Sequence, residues 1–156
     1  RTLVREQIPD VTLTIAGRDP RPDVQALAAR TPGVTVTGTV PDVRPYLERS
    51  AVVVVPLRVG GGTRLKIFEA MAMGKAIVST RIGAEGLPVR DEHELLLADD
   101  APSFAAAVVR LLRDRSTARR LGETAAARVR QEFGWAVVTK AFTALCERVA
   151  HAEAGV

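Results

Sequence analysis

A run of three glycines beside two cations is the part of this sequence best suited to chemistry. The glycines at positions 60–62 come shortly after a valine run at 52–55, and a helical pattern begins near Thr63 or Arg64. Glycine lets backbone N–H groups approach a ligand closely, and the free N–H groups at a helix N-terminus attract anions. Arg64 and Lys66 add two cations at the same place. The segment therefore predicts an anion site that suits a diphosphate.

Glu69 is the second candidate, because it interrupts a helical segment that is otherwise mostly apolar. An unpaired buried charge is costly, so this carboxylate faces solvent, pairs with Lys66 three residues earlier, or accepts hydrogen bonds from ligand hydroxyls. An ionised carboxylate accepts two hydroxyl donors, which suits the vicinal hydroxyls of a ribose. The glycine spacing matches neither the P-loop nor the dinucleotide-binding pattern. A plain flexible loop and a simple Lys66–Glu69 surface pair stay open as alternatives.

Short β-branched runs alternate with helical patterns through the first half of the chain. This alternation implies βαβ units and an open, Rossmann-like doubly wound parallel sheet, with the ligand outside the carboxyl ends of its strands. We expect the continuous valine run to be the most buried strand, covered on both faces. The expected strands are 11–16, 34–37, 51–55, 76–79 and 95–97, and the expected helices are 23–30, 43–49 and 64–73.

The last third of the sequence is wholly helical. Apolar side chains in residues 104–112 recur at i, i+3, i+4 and i+7, which predicts an amphipathic helix. A second helix is expected over 117–132 with Ser116 as its N-cap, and a third over 135–150.

The length of 156 residues and the 47% hydrophobic content are those of one ordinary globular domain. We expect a domain over residues 1–150 and a frayed tail over 151–156. No apolar run is long enough to span a membrane and no signal peptide opens the chain, which favours a cytoplasmic protein without an integral membrane segment. His93, His151 and Cys146 form no zinc-type ligand cluster, so we expect neither metal nor cofactor. Cys146 is expected to be buried and inert.

The net charge of +4 would suit an anionic partner. The 22 basic residues are, however, interleaved with 18 acidic ones, and only six aromatic side chains, four Phe, one Trp and one Tyr, could stack on bases. We therefore expect no nucleic-acid partner. The chain starts at Arg1 within what reads as the end of a helix, which suggests a piece of a longer protein.

Several motifs in order resemble a known family over nearly the whole chain. The most specific stretch is 54–80, which contains the glycines and the run Glu-Ala-Met-Ala-Met-Gly-Lys. Thr-Ile-Ala-Gly at 14–17 and Thr-Gly-Thr-Val-Pro-Asp at 37–42 precede it, and Gly-Ala-Glu-Gly-Leu at 83–87 and Phe-Gly-Trp at 133–135 follow. Together they resemble the C-terminal, nucleotide-sugar-binding domain of retaining glycosyltransferases with the GT-B fold, called group 1 or family 4.

The resemblance implies transfer of a sugar from a nucleotide-diphosphate sugar, without a metal, to an acceptor held by an N-terminal domain in cis that would precede Arg1. This chain alone would then be inactive. Lys66 and Arg64 would be the catalytic cations that neutralise the leaving diphosphate. The implied donor-binding residues, for the diphosphate, the ribose and the base in turn, are Gly61, Gly62 and Thr63, then Glu69, then Val40.

One position departs from the family pattern. Many members carry a glutamate eight residues before the one that matches Glu69, where it grips the donor sugar, and this chain has Gly61 there. The sugar contact is therefore not carried over, and Arg64 is expected to take part of the anion-binding work.

Two other classes of function fit parts of the pattern. A nucleotide-sugar epimerase of the same architecture could share the donor site. A non-catalytic Rossmann-like binding or regulatory domain, such as a response-regulator receiver, would need a phosphorylatable aspartate at the end of the valine strand, where Pro56 stands instead.

Overall fold

Helices and strands alternate in the computed structural model, which describes residues 2–60, 62 and 64–153. The predicted α/β class is confirmed, and the parallel strands lie within two residues of the expected positions. In chain order the elements are α1 (Thr2–Arg5), β1 (Leu13–Ala16), α2 (Pro22–Arg30), β2 (Val34–Gly38), α3 (Arg44–Arg49), β3 (Val52–Val55), α4 (Leu65–Ala72), β4 (Ala76–Ser79), α5 (Arg81–Ala84), β5 (Leu96–Leu97), α6 (Ala101–Arg113), α7 (Arg115–Glu132) and α8 (Trp135–Glu153).

The strands form two parallel sheets instead of one continuous sheet. One sheet has the order β1-β2 and the other the order β3-β4-β5. Val52 pairs with Ala76 and Val78 with Leu96, so the carboxyl ends of the second sheet's strands meet at one edge. The connection that carries the glycines leaves β3 at this edge, where ligands bind in open α/β sheets.

The core surrounds the second sheet, and its centre is β4, not β3 as expected. All four residues of β4 are buried, whereas only Val55 of β3 is. Successive β4 side chains point to opposite faces. Ile77 packs with Ile67 and other residues of α4 on one face, and Val78 packs with Leu111 of α6 on the other. The valine run suggested burial on both faces for β3. The structure shows it for β4 instead, because β4 is the central strand of the sheet.

The helical third differs in detail from its prediction. Asp114, not Ser116, is the N-cap of α7, because its carboxylate accepts the backbone N–H of Thr117 at 3.0 Å. Helix α8 continues through Glu153, and residues 154–156 of the predicted tail lie outside the described residues. Cys146 is exposed on α8, so the prediction of a buried thiol was wrong. No helix in the described ranges combines the length and the apolar character needed to cross a bilayer.

Candidate functional site

The glycine loop joins β3 to α4 at the carboxyl edge of the second sheet. Gly60 has φ 147° and Gly62 has φ 94°, values that residues with a Cβ rarely adopt. The loop shape therefore depends on glycine at both positions. Gly61 and Thr63, the other two predicted diphosphate contacts, lie outside the described residues.

The N-terminus of α4 carries no side-chain cap. Arg64 is the N-cap residue, and its carbonyl accepts the N–H groups of Ile67 and Phe68 at 2.9 and 3.3 Å. The N–H groups of Leu65 and Lys66 take no part in that bonding. With the positive end of the helix dipole they form a place for an anion.

Lys66 and Glu69 both have exposed side chains on neighbouring positions of α4. Three residues of an α-helix span about 4.5 Å along its axis, so the cation stands near the helix N-terminus and the carboxylate almost one turn further on. No ion pair joins them in the part of the chain that the structure describes. Glu69 is thus on the solvent side, and both charges can reach a ligand.

Arg64 points away from solvent, in contrast to Lys66. Only 7% of Arg64 is exposed. Its Nη2 donates hydrogen bonds to the carbonyl oxygens of Gly60 at 3.0 Å and Ile82 at 2.8 Å, and lies 3.5 Å from the carboxylate of Glu85. The sequence placed this residue in the first helical turn with Lys66, but the two cations have different surroundings.

The bonds of Arg64 are of the right size to hold the loop. Ordering a glycine costs about 1–2 kcal/mol of backbone entropy per residue, and Gly60 and Gly62 both hold a defined conformation here. A hydrogen bond from a charged donor contributes about 1.5–3 kcal/mol. The two bonds to Gly60 and Ile82 together are therefore comparable to the entropy that the loop loses.

The turn after β4 supports the same loop from a second point, which the sequence analysis did not detect. The hydroxyl of Thr80 donates to the carbonyl of Leu57 and accepts the N–H of Gly83 at 2.9 Å. A Cβ on Gly83 would lie 2.5 Å from Ser79 Oγ and 2.9 Å from the Val55 carbonyl oxygen, so only glycine fits there. The signal in the sequence was the Thr80 and Gly83 spacing, which the resemblance included without assigning it a role.

Val40 lies in the connection between β2 and α3. It follows Gly38, whose φ of 68° turns the chain at the carboxyl end of β2 in the other sheet. No hydrogen bond or ion pair in the described residues joins Val40 to α4, so its contact with a base stays a prediction.

The back of α4 is held by contacts that leave its exposed side open. The rings of Phe68 and Phe133 have centroids 4.8 Å apart, which ties the Phe-Gly-Trp turn to α4. Lys75, just after α4, donates to the carbonyl oxygens of Glu48 and Ser50 at 2.6 and 3.2 Å. The helix that carries Lys66 is thus anchored to α3 and to the end of α7.

One cleft in the described residues lies outside this site. An open cleft of about 260 Å³ between β5 and α6 is lined by Asp91, Leu97, Ser103 and Arg110, and by none of the predicted site residues. In the same described part, no three His, Cys, Asp or Glu side chains are grouped as a metal site.

The structure is that of an α/β domain with a glycine loop at the carboxyl edge of a parallel sheet, followed by a helix with an uncapped N-terminus. The comparison with known families makes this class specific. The model of the family described as glycosyl transferases group 1 matches residues 2–114 of the sequence. The chain therefore belongs to this family.

Two individual proteins are similar over 58% and 96% of this chain. The uncharacterized glycosyltransferase MJ1069 of Methanocaldococcus jannaschii is 27% identical over 92 residues, 58% of this chain and 24% of that protein. Sucrose-phosphate synthase from Thermosynechococcus elongatus is 28% identical with a TM-score of 0.79, over 96% of this chain and 41% of that one.

A third similarity concerns the fold alone. TarM of S. aureus, solved in a complex that includes UDP, is 19% identical with a TM-score of 0.76, over 90% of this chain and 30% of that one. The chain therefore spans between a quarter and about two fifths of the length of these three proteins.

Proposed function

We propose that this chain is the donor-binding domain of a glycosyltransferase that moves a sugar from a nucleoside-diphosphate sugar, with retention, to an acceptor held by another domain of the same polypeptide. The observation that carries the proposal is the exposed Lys66 on the first turn of α4, beside the glycine loop. Membership of the group 1 family supports it. The fold shared with TarM, whose structure includes UDP, is a further support. An epimerase is less favoured, because the matching family consists of glycosyl transferases.

The chemistry places negative charge where this loop has its donors. When the bond between the anomeric carbon and the diphosphate breaks, its electron pair stays on the phosphate oxygen. The acceptor oxygen forms the new bond to the anomeric carbon, and its proton passes to the leaving diphosphate. Fixed N–H groups and the Lys66 ammonium stabilise the charge that grows on the diphosphate, which lowers the barrier. No metal is required for this charge in the proposal.

Glu69 sets the distance from the diphosphate to the ribose. Its carboxylate lies on the same exposed side of α4 as Lys66 and one turn further from the loop. A ribose whose diphosphate rests on the helix N-terminus would present its two hydroxyls to this carboxylate, which accepts both. The pair therefore selects a nucleoside diphosphate over a free diphosphate.

A titration with UDP, GDP, ADP and pyrophosphate tests these roles. We expect Lys66→Ala to weaken binding of a nucleoside diphosphate and of pyrophosphate by about tenfold, because it removes a charge-assisted contact. Glu69→Gln is expected to weaken only the nucleoside diphosphates. Lys140→Ala on α8 removes the same charge from an exposed position and is the control.

Two results would contradict the proposal. One is the absence of binding of every nucleoside diphosphate by the folded protein at millimolar ligand. The other is an affinity in Lys66→Ala equal to that of Lys140→Ala.

A further inference from the structure

Arg64 and Lys66 are two residues apart, but they have different surroundings in the structure. Lys66 is exposed, whereas Arg64 is buried and donates to backbone carbonyls. We propose that Arg64 and Thr80 are positioning residues that hold the glycine loop in its ligand-binding shape, and that Arg64 does not itself neutralise the diphosphate. This inference rests on the proposed donor-binding function and assigns a different role to Arg64 from the one that the sequence suggested.

A single nitrogen of Arg64 joins three segments of the chain. Nη2 bonds both the Gly60 and the Ile82 carbonyl oxygens, at 3.0 and 2.8 Å, so these two oxygens are held within about 6 Å of each other. Gly60 starts the glycine run, Ile82 belongs to α5, and Arg64 itself is the N-cap of α4. The guanidinium thus sets the position of the glycine run relative to the helix that carries Lys66.

Thr80 holds the other end of the loop from the same turn. Its hydroxyl donates to the carbonyl of Leu57 and accepts the N–H of Gly83. Thr80 is buried, and its backbone N–H also bonds the Val55 carbonyl at 3.2 Å. The loop is therefore attached at Leu57 and at Gly60 to one short turn, 80–83.

The charges around Arg64 also favour a positioning role. The carboxylate of Glu85 lies 3.5 Å from the guanidinium, on the exposed side of the pair. A carboxylate at this distance offsets the attraction that the guanidinium would exert on a phosphate. Of the two cations, Lys66 has no such neighbour among the described residues. The attraction for the diphosphate therefore falls to Lys66 and to the backbone N–H groups.

Amide hydrogen exchange without ligand, together with UDP titration, separates positioning from direct contact. We expect Arg64→Lys and Thr80→Val each to raise exchange in peptides that cover residues 57–64 by about tenfold or more, because each removes bonds that fix the loop. Both should also weaken UDP binding, although neither variant changes the net charge. Lys66→Ala should weaken UDP binding and leave the exchange without ligand unchanged.

The salt dependence of UDP binding gives a readout that a loss of overall stability does not move. Thr80→Val should keep the salt dependence of the unchanged protein, whereas Lys66→Ala should reduce it, because only Lys66 contributes charge at the ligand. Thr80→Ser keeps the hydroxyl and is expected to restore both the slow exchange and the affinity. Arg119→Gln, which removes an exposed charge on α7, is the control, and thermal unfolding confirms that each variant is folded.

The outcomes separate this inference from the proposed function. If the unchanged protein does not bind UDP or another nucleoside diphosphate, the proposed function fails. If it binds, but Arg64→Lys and Thr80→Val keep slow exchange and full affinity, the positioning role is wrong. Slow exchange with a reduced salt dependence in Arg64→Gln would assign Arg64 to the diphosphate instead.

Discussion

The chain contains two regions with the same βα pattern and different burial. Among the described side chains, none from residues 3–54 is buried, and all the buried ones lie between Val55 and Ala126. Strands β1 and β4 show the contrast, because both have four residues and parallel neighbours. β1 alternates between half-buried and exposed side chains, whereas all four residues of β4 are buried. A strand's sequence is thus less decisive for its burial than the elements on each side of it.

The difference in burial divides the candidate site. The glycine loop, α4 and the turn after β4 stand on the buried region, which is where a site that must hold charged groups in place is best supported. Val40, the predicted base contact, belongs to the region without a buried side chain. The diphosphate and ribose contacts are therefore expected to be more rigid than the contact with the base.

The largest effect is expected at a glycine of the buried region. A Cβ on Gly122 of α7 would lie 2.0 Å from the Gly74 carbonyl oxygen, and this oxygen belongs to a backbone that cannot move aside. We expect Gly122→Ala to lower the free energy of unfolding by at least about 4 kcal/mol, above the usual 1–3 kcal/mol for overpacking, because the clash is with the backbone of Gly74. Chemical denaturation followed by circular dichroism measures this change.

The matched control lies in the first region. A Cβ on Gly17 would have no neighbour within 4 Å, so Gly17→Ala is expected to change the same free energy by less than about 0.5 kcal/mol. Equal effects of the two substitutions would mean that the regions do not differ as their burial indicates.

An isoleucine pair tests the contrast between the two strands directly. Ile77 in β4 is fully buried, and Ile15 in β1 is half-buried. Ile77→Ala should cost about 3–4 kcal/mol, because it removes apolar surface and leaves a cavity between α4 and the sheet. Ile15→Ala should cost about 1 kcal/mol, since its site is already open to water. A cost at Ile15 equal to that at Ile77 would show that β1 acquires cover in solution.

Much of the fold could be predicted because its signals are local. The β-branched runs and the helical periodicity placed the strands within two residues, and β4 was placed with the same bounds. The division into two sheets was missed, because strand pairing depends on contacts that are distant in sequence. Asp114 and Ser116 are both good N-caps, and only the structure shows which carboxylate or hydroxyl accepts the Thr117 N–H.

The site was harder to predict, because residue spacing does not show where a side chain points. Arg64 and Lys66 looked equivalent in the sequence, although one is buried against carbonyls and the other is exposed. Thr80 was missed because its partner, Leu57, is a backbone carbonyl on another segment. Cys146 was expected inside because it lies among apolar residues, but large apolar side chains of the same helix are themselves exposed: Val137, Phe142, Leu145 and Val149.

The smallest of these effects depends on pH and compares one carboxylate from each region. Burial raises the pKa of Glu94, but hydrogen bonds from the Arg90 N–H at 2.8 Å and the Arg128 guanidinium at 3.0 Å outweigh it, so the net pKa is lowered. Such a group stabilises the fold above its unfolded pKa, and the stability is lost as the pH falls through the folded value. The pKa of Asp42 is also lowered, because its carboxylate accepts a hydrogen bond from the Arg44 side chain, but this pair is exposed.

We therefore expect Glu94→Gln to lower the free energy of unfolding at pH 7 by about 2 kcal/mol, because Arg128 loses one of its two carboxylate partners and keeps only Glu132. The difference from the unchanged protein should shrink as the pH falls below about 4.5, where the carboxyl of the unfolded chain takes up a proton, and should vanish only below the lowered pKa of the folded protein. Asp42→Asn should show a much smaller change over the same range, because solvent screens an exposed pair. Urea unfolding at a series of pH values measures both. A pH-independent effect of Glu94→Gln would mean that the loss comes from the amide group placed against the donors of Arg90 and Arg128, and not from removal of the carboxylate's charge.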